Sequence, residues 1–417
     1  MADLTKEADT NQVLQLSIED FNKASKIVKE VTVPTNLKYS ECLSARTGAE
    51  VYLKPENMQY TGAYKLRGAY YKISTLTEEQ RSKGLITASA GNHAQGVAYA
   101  AKVFGCKATI VMPTVTPLIK VNRTNAYGAE VVLEGDVYDD AYAHAKKLAD
   151  QFGYTFIHPF DDLTVATGQG TIGVEIFEEL PDVDYIFVPV GGGGLITGIS
   201  TYAKLRNPNV KVIGVEPAPA PSMTEAIKQG GPVTLPSANT IADGTAVKRI
   251  GEKIFPLCLK NISQMVTVED GNLIDAFLMM VENHKMIVEN SGLLSVAALS
   301  QMDLKGKKVV AILSGGNMDV STMATVVQNG LIRQSRLFTV SVQIPDKAGE
   351  LCKLTKVIGD ARGNITKLEH NQYVNVNRNI GVEVSVTMEA YGAEHKEQIV
   401  DALAKSGFKP VIEETRV

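Results

Sequence analysis

Thr61-Gly62-Ala63-Tyr64-Lys65-Leu66-Arg67-Gly68-Ala69 follows a short predicted strand, 51–54, and a turn at Pro55-Glu56-Asn57. The stretch opens an amphipathic helix with Leu66, Tyr70 and Ile73 on its apolar face. A lysine at that point is an odd choice, because the start of a helix carries partial positive charge and disfavours a second cation. The placement predicts a lowered pKa and an amine able to act as a nucleophile. A solvated surface lysine would fit the same local pattern, so the reading depends on what the rest of the chain brings to Lys65.

Outward from Lys65, the pattern between about 50 and 330 alternates strand and helix. Nearly continuous apolar runs at 85–88, 108–112, 130–133, 185–190, 210–215 and 309–313 are separated by helix-period segments such as 94–104, 137–152 and 195–205. Apolar strands alternating with helices predict an α/β fold, a mostly parallel sheet covered on both faces. Ligands then bind in the turns at the carboxyl ends of strands. A polar, acidic lead (1–14) and a first helix (18–31) precede this region. Near 330 the rhythm changes. After a predicted linker, 330–335, comes strand 337–344, helix 351–361, strands 365–376 and 382–388, helix 394–406 and strand 409–413. That βαββαβ order is ferredoxin-like. The expected domains are therefore 1–330 and 331–417.

The 417 residues, 44% of them hydrophobic, are enough for two or three domains with real cores. A net charge of −4 gives no basic surface for nucleic acid or an anionic membrane, and no apolar run approaches a membrane span. Cys42, Cys106, Cys258 and Cys352 are scattered without metal-ligand spacing, which suggests reduced thiols in a cytoplasmic protein.

Three turns after predicted strands carry chemistry. Ser89-Ala90-Gly91-Asn92-His93 places a hydroxyl and an amide at a helix start, where exposed N–H groups favour an anion; a plain capping turn would look alike. Gly191, Gly192, Gly193 and Gly194, followed by Leu195, cost backbone entropy that a simple connector rarely spends, and they let N–H groups wrap a phosphate. The spacing is neither the dinucleotide fingerprint nor a Walker loop, so a monophosphate fits better. Ser314, in Ser314-Gly315-Gly316-Asn317, offers a hydroxyl at a third strand end, suited to a ring nitrogen. An amine-reactive lysine, a phosphate nest, a polar group for a ring oxygen and a hydroxyl for a ring nitrogen together describe pyridoxal 5'-phosphate held as a Schiff base.

TGAYKLRGA, SAGNHAQG, GGGGL and LSGGN, in this order and spacing, resemble the fold-type-II pyridoxal-phosphate enzymes, whose fold is that of the tryptophan synthase β subunit. The similarity runs over residues 20–330 and is greatest to threonine dehydratases, with serine racemases and serine dehydratases alongside. Residues 337–413, through Ile344-Pro345-Asp346-Lys347-Ala348-Gly349-Glu350-Leu351, resemble an ACT domain, although Ala348 stands where that loop usually has proline.

The resemblance implies that Lys65 carries the cofactor and takes the substrate's Cα proton. Asn92 then bonds its ring oxygen, Gly191, Gly192, Gly193, Gly194 and the Leu195 backbone hold its phosphate, and Ser314 bonds its ring nitrogen. Ser89 and His93 would hold the substrate carboxylate. Glu289 matches a family glutamate near the ring and could equally be a solvated acid. Asp346, Gly349 and Asn364 would bind an amino-acid effector, isoleucine or valine. The implied activity is dehydration and deamination of threonine to 2-oxobutanoate, and of serine to pyruvate, by a homodimer or homotetramer. A serine racemase and a non-catalytic amino-acid sensor are the competing readings. Racemases carry a serine proton donor where this chain has Ala90, which argues for elimination. Some relatives hold a divalent ion between a glutamate and an acid six residues on; here Glu216 is paired with Ser222, a poor ligand for a hard cation, so no metal is expected.

Overall fold

The computed structural model of the protein describes residues 16–371 and 381–415. The lead 1–14 and the end of the predicted strand 365–376 lie outside them. The chain divides after Met318 into two compact units.

The first unit holds two sheets. One has six strands in the order Lys38–Tyr39, Glu50–Lys54, Lys308–Ile312, Tyr185–Pro189, Lys211–Pro217 and Gln264–Val268. All of its pairings are parallel except that of the short first strand. The other is fully parallel, in the order Glu130–Leu133, Ala108–Met112, Leu85–Ala88 and Thr155–Phe156. Both central strands, Leu85–Ala88 and Ala108–Met112, are buried along their whole length, as their unbroken apolar sequence requires. This is the two-lobed, mostly parallel arrangement expected. The predicted turns at Ser89, Gly191 and Ser314 all follow carboxyl ends of strands.

The helix Lys65–Ser74 lies between Asn92–Val103 and Leu163–Glu179. Its approach to Leu163–Glu179 is close enough that a Cβ on Gly168 would sit 2.7 Å from the Gly68 Cα. Beneath it lies an ionic network in which Arg67, Glu56 and Lys54 are buried and Glu175 is half-buried. Arg67 Nε and one terminal nitrogen bond the two Glu56 oxygens at 2.7 and 2.8 Å, and its terminal nitrogens reach Glu175 at 2.6 and 2.9 Å. Lys54 bonds Glu175 at 2.5 Å and the Thr35 carbonyl at 2.6 Å. Two cations face two carboxylates. Burial disfavours the Arg67 charge, but Glu56 and Glu175 more than restore it and hold the guanidinium protonated. Such a network is costly to assemble and costlier to leave half-made.

The second unit begins with the helix Val320–Arg333. The predicted linker at 330–335 is therefore a correction: Gly330 to Arg333 are the last turn of this helix, and the reversal comes at Ser335, with φ 55°. The overlooked start signal is Asp319. Its carboxylate accepts from the Thr322 N–H at 2.8 Å and from the Ser321 hydroxyl, and these bonds hold its pKa down at about 2. The unit continues through Leu337–Ile344, the helix Glu350–Asp360, Asn364–Asn371, Val382–Glu389, the helix Ala393–Lys405 and Val411–Glu413. Its antiparallel sheet runs in the order Asn364–Asn371, Val382–Glu389, Leu337–Ile344, Val411–Glu413, an ACT-like βαββαβ layout. Val340, Val342, Leu354, Ile358, Val384 and Leu403 share its core.

Arg67→Ala leaves Glu56 without a cation in this interior and Glu175 with Lys54 alone. It should cost about 3–5 kcal/mol, read as a lower denaturant midpoint of the apo-protein; a loss below about 1 kcal/mol, the range of an exposed pair, would contradict the assignment.

Candidate active site

Lys65 is held in place from the turn after Lys308–Ile312, the strand that pairs with Glu50–Lys54. Residues 61–64 run antiparallel to 314–316. The Tyr64 N–H donates to the Ser314 carbonyl at 3.1 Å, and the Gly316 N–H to the Gly62 carbonyl at 2.8 Å, around a bridge between Ala63 and Gly315. The Lys65 Nζ then donates to the Pro159 carbonyl at 2.9 Å and, among the described residues, has no carboxylate partner at ion-pair distance. Burial lowers its pKa to about 8, against a partial upward pull from Glu289. Burial, more than the helix start invoked above, is the cause of the shift.

The Ser89 turn is ordered by its own side chain: the Gly91 N–H donates to Ser89 Oγ at 3.2 Å, which leaves the hydroxyl hydrogen free to serve another acceptor. Asn92 begins the next helix and donates to Glu289 Oε1 at 2.7 Å. His93 has a different place from the one expected. Its ring is buried, with Nε2 3.0 Å from the Ile157 carbonyl. A carbonyl only accepts, so Nε2 carries the hydrogen and Nδ1, which has no partner, is left as a buried acceptor. Burial, then the nearby Lys65 charge, lowers its pKa to about 3. With its sole N–H committed and no charge, His93 is poorly suited to hold a carboxylate; it ties the turn's helix to the 155–157 strand region.

Gly193 sits at φ 99°, a backbone setting that other residues rarely adopt, and the helix Gly194–Arg206 starts immediately after it. The first N–H groups of that helix have no intrahelical acceptor and face the turn. A Cβ on Gly192 would lie 2.3 Å from the Phe160 ring. Leu195 is buried, so only its backbone is available to a ligand. Phe160 belongs to His158-Pro159-Phe160-Asp161-Asp162, a segment the sequence reading passed over although it too follows a strand. His158 Nδ1 accepts from the Phe160 and Asp161 N–H groups at 3.2 and 2.8 Å, and Asp161 accepts from the Lys253 N–H at 2.8 Å. One turn thus touches both the lysine and the glycine loop.

Ser314 is buried at its strand end. Glu289 is buried rather than solvated, and its pKa rises to about 7, first through burial and then through the Asp243 carboxylate. Glu216 is fully used by protein: it accepts from the Met223 and Thr224 N–H groups at 2.6 and 2.9 Å and from the Thr224 hydroxyl at 2.8 Å, capping the helix Ser222–Gln229. In the C-terminal unit, Gly349 has φ 92° and precedes the helix Glu350–Asp360, while Asn364 donates to Glu389 at 2.8 Å.

A half-buried lysine whose amine meets the Pro159 carbonyl, beside a glycine cradle that admits no side chain, fits pyridoxal phosphate. These are the marks of a lysine-dependent pyridoxal-phosphate site on a parallel α/β scaffold. The family model "Pyridoxal-phosphate dependent enzyme" matches residues 28–315, and the chain belongs to that family. It is 42% identical to an L-threonine ammonia-lyase of Thermotoga maritima over 94% of this chain and 98% of that one. Among solved structures it resembles the processed form of threonine deaminase isoform 2 from Solanum lycopersicum (TM-score 0.72, 42% identity, 75% of this chain and 93% of that chain). It also resembles maize serine racemase (TM-score 0.71, 33% identity, 76% and 99%).

Only a neutral amine attacks an aldehyde. Schiff-base formation by the apo-protein with added pyridoxal phosphate, followed by absorbance, should accelerate with pH and level off above about 8. A rate still climbing tenfold per unit beyond pH 9.5 would show an ordinary lysine.

Proposed function

We propose that the protein deaminates L-threonine to 2-oxobutanoate and ammonia, and L-serine to pyruvate. The observation that carries this is the 42% identity to an L-threonine ammonia-lyase over nearly the full length of both chains, together with the lowered pKa of the Lys65 amine. Bound pyridoxal phosphate supplies an electron sink for the charge left at Cα when its proton departs. The chain's own residues do the rest. Lys65, Asn92, Ser314 and the backbone of Gly191, Gly192, Gly193, Gly194 and Leu195 would hold the group. Ser89 and the N–H groups of its turn orient the substrate carboxylate at a helix start. Lys65, with a pKa near 8, is partly neutral at physiological pH and takes the Cα proton as general base. Ser314 presents a neutral hydroxyl and does not keep a ring nitrogen protonated, which favours prompt loss of the β-hydroxyl over a long-lived carbanion. The enamine product hydrolyses in water to the keto acid and ammonia.

The maize serine racemase likeness keeps racemisation as the second reading. Ala90 has no proton to deliver to the opposite face of Cα. Lys65→Ala should retain the fold and form almost no keto acid from threonine, and wild-type enzyme should leave recovered substrate almost free of the D-enantiomer by chiral chromatography. Normal turnover in the variant, or rapid D-enantiomer build-up, would overturn the reading.

We further propose that the C-terminal unit senses a branched-chain amino acid, isoleucine or valine, near Asp346, Gly349 and Asn364. The support is the ACT-like layout and the open turn at Gly349, where, among the described residues and beyond the local backbone, no atom lies within 4 Å of an added Cβ. An effector acts only through unequal affinity for two states. Gly349→Val strains a backbone at φ 92° and should shift the concentration for half-maximal response by about tenfold (1.4 kcal/mol) while leaving effector-free turnover unchanged. A wild-type rate indifferent to both amino acids would sink the proposal.

A further inference from the structure

Asn317 closes the LSGGN motif, and neither the motif nor the relatives' names give it a task. Its Nδ2 lies 2.7 Å from the Thr61 carbonyl and 2.8 Å from the Asn92 side-chain oxygen. Asn92 Nδ2 lies 2.7 Å from Glu289 Oε1. The direction of this chain is set at one end. The Thr61 carbonyl can only accept, so the Asn317 atom facing it is the amide nitrogen. That nitrogen spends its second hydrogen on Asn92, so Asn92 turns its oxygen inward. Asn92 must then present its own nitrogen to the pocket. One of its hydrogens goes to Glu289, and the other is left for a ligand acceptor. The Asn317 backbone N–H also meets the Glu289 carboxylate, which closes the circuit. Space for Asn317 is reserved by Gly62: at φ 71°, a Cβ there would fall 2.4 Å from Asn317 Oδ1.

We infer that Asn317 is a positioning residue that fixes the polarity of the Asn92 amide, so that Asn92 offers a donor, and not an acceptor, to an anionic oxygen of the cofactor. The inference rests on the pyridoxal-phosphate reading of the site. It explains why a motif at one strand end and a motif at another need each other. Without Asn317 the Asn92 amide is held by Glu289 alone, and with an acceptor in its place Asn92 is driven to turn its nitrogen inward and its oxygen toward the ligand.

Asn317→Asp is nearly the same size but can only accept when ionised, so it inverts the relay; Asn317→Ala merely releases it. The test compares holo absorbance spectra and pyridoxal-phosphate dissociation constants of the wild-type, Asn317→Asp and Asn317→Ala proteins, with thermal melts of each apo-protein. The expected result is a cofactor affinity weakened about tenfold or more and a displaced visible band in Asn317→Asp, with a smaller change in Asn317→Ala. A packing role would reverse that order, because truncation removes more contacts than the isosteric exchange; Asn317→Ala equal to or worse than Asn317→Asp overturns the inference. Should Asn317→Asp not fold, Asn317→Ala is compared with Asn92→Ala: displacement of the band in the same direction supports the relay, and a wild-type band in Asn317→Ala overturns it. Because these readouts are cofactor binding and spectrum, they stand apart from whether threonine is the substrate, which keto-acid formation by the wild-type enzyme decides.

Discussion

The short antiparallel clasp between 61–64 and 314–316 is the constraint on which this active site depends. Two backbone hydrogen bonds and an Ala63–Gly315 bridge join segments some 250 residues apart, and they do so at the point where the lysine helix begins. The residues making these bonds are buried or half-buried, and losing one bond leaves a donor or acceptor short of its partner, at up to about 1–3 kcal/mol. The clasp therefore sets where Lys65 lies relative to Ser314 with little freedom. The Arg67 network beneath holds the same helix from its other side, so the reactive amine sits between two rigid supports. Neither support brings a carboxylate into ion-pair contact with the amine itself, and this is why burial can lower its pKa instead of an ion pair raising it.

The site also shows how neighbouring titrations are kept apart. Lys65 is lowered to about 8 and Glu289 raised to about 7, both mainly by burial, while His93 is held neutral by burial with its N–H committed to Ile157. Groups with ordinary pKa values six units apart are brought close to neutrality and to one another, the condition under which an amine can accept a proton and later release it.

Much of this was legible in the chain. The strands 85–88, 108–112 and 130–133 match Leu85–Ala88, Ala108–Met112 and Glu130–Leu133 because apolar runs bounded by turns have few alternatives in a parallel sheet. The four glycines were legible because their cost demands a reason. What escaped the reading depends on tertiary partners. The helix Val320–Arg333 was hidden because Gly330 resembles a break, although its buried side packs well inside a helix. His93 looked like a ligand-facing residue because its turn follows a strand end, yet its ring is turned toward the Ile157 carbonyl. The helix-capping role of Glu216 depends on the Met223 and Thr224 N–H groups, which meet its oxygens only once strand and helix are folded together. The role of Asn317 required the carbonyl of Thr61, a residue 256 positions away.

The central claim is that Lys65 alone carries the cofactor. Borohydride reduction of the holoenzyme followed by peptide mass mapping tests it most directly. A stoichiometric phosphopyridoxyl label on the peptide containing Lys65, absent when threonine is added before reduction, is the predicted result. A label on a different lysine, or no label on a protein that still deaminates threonine, would contradict it.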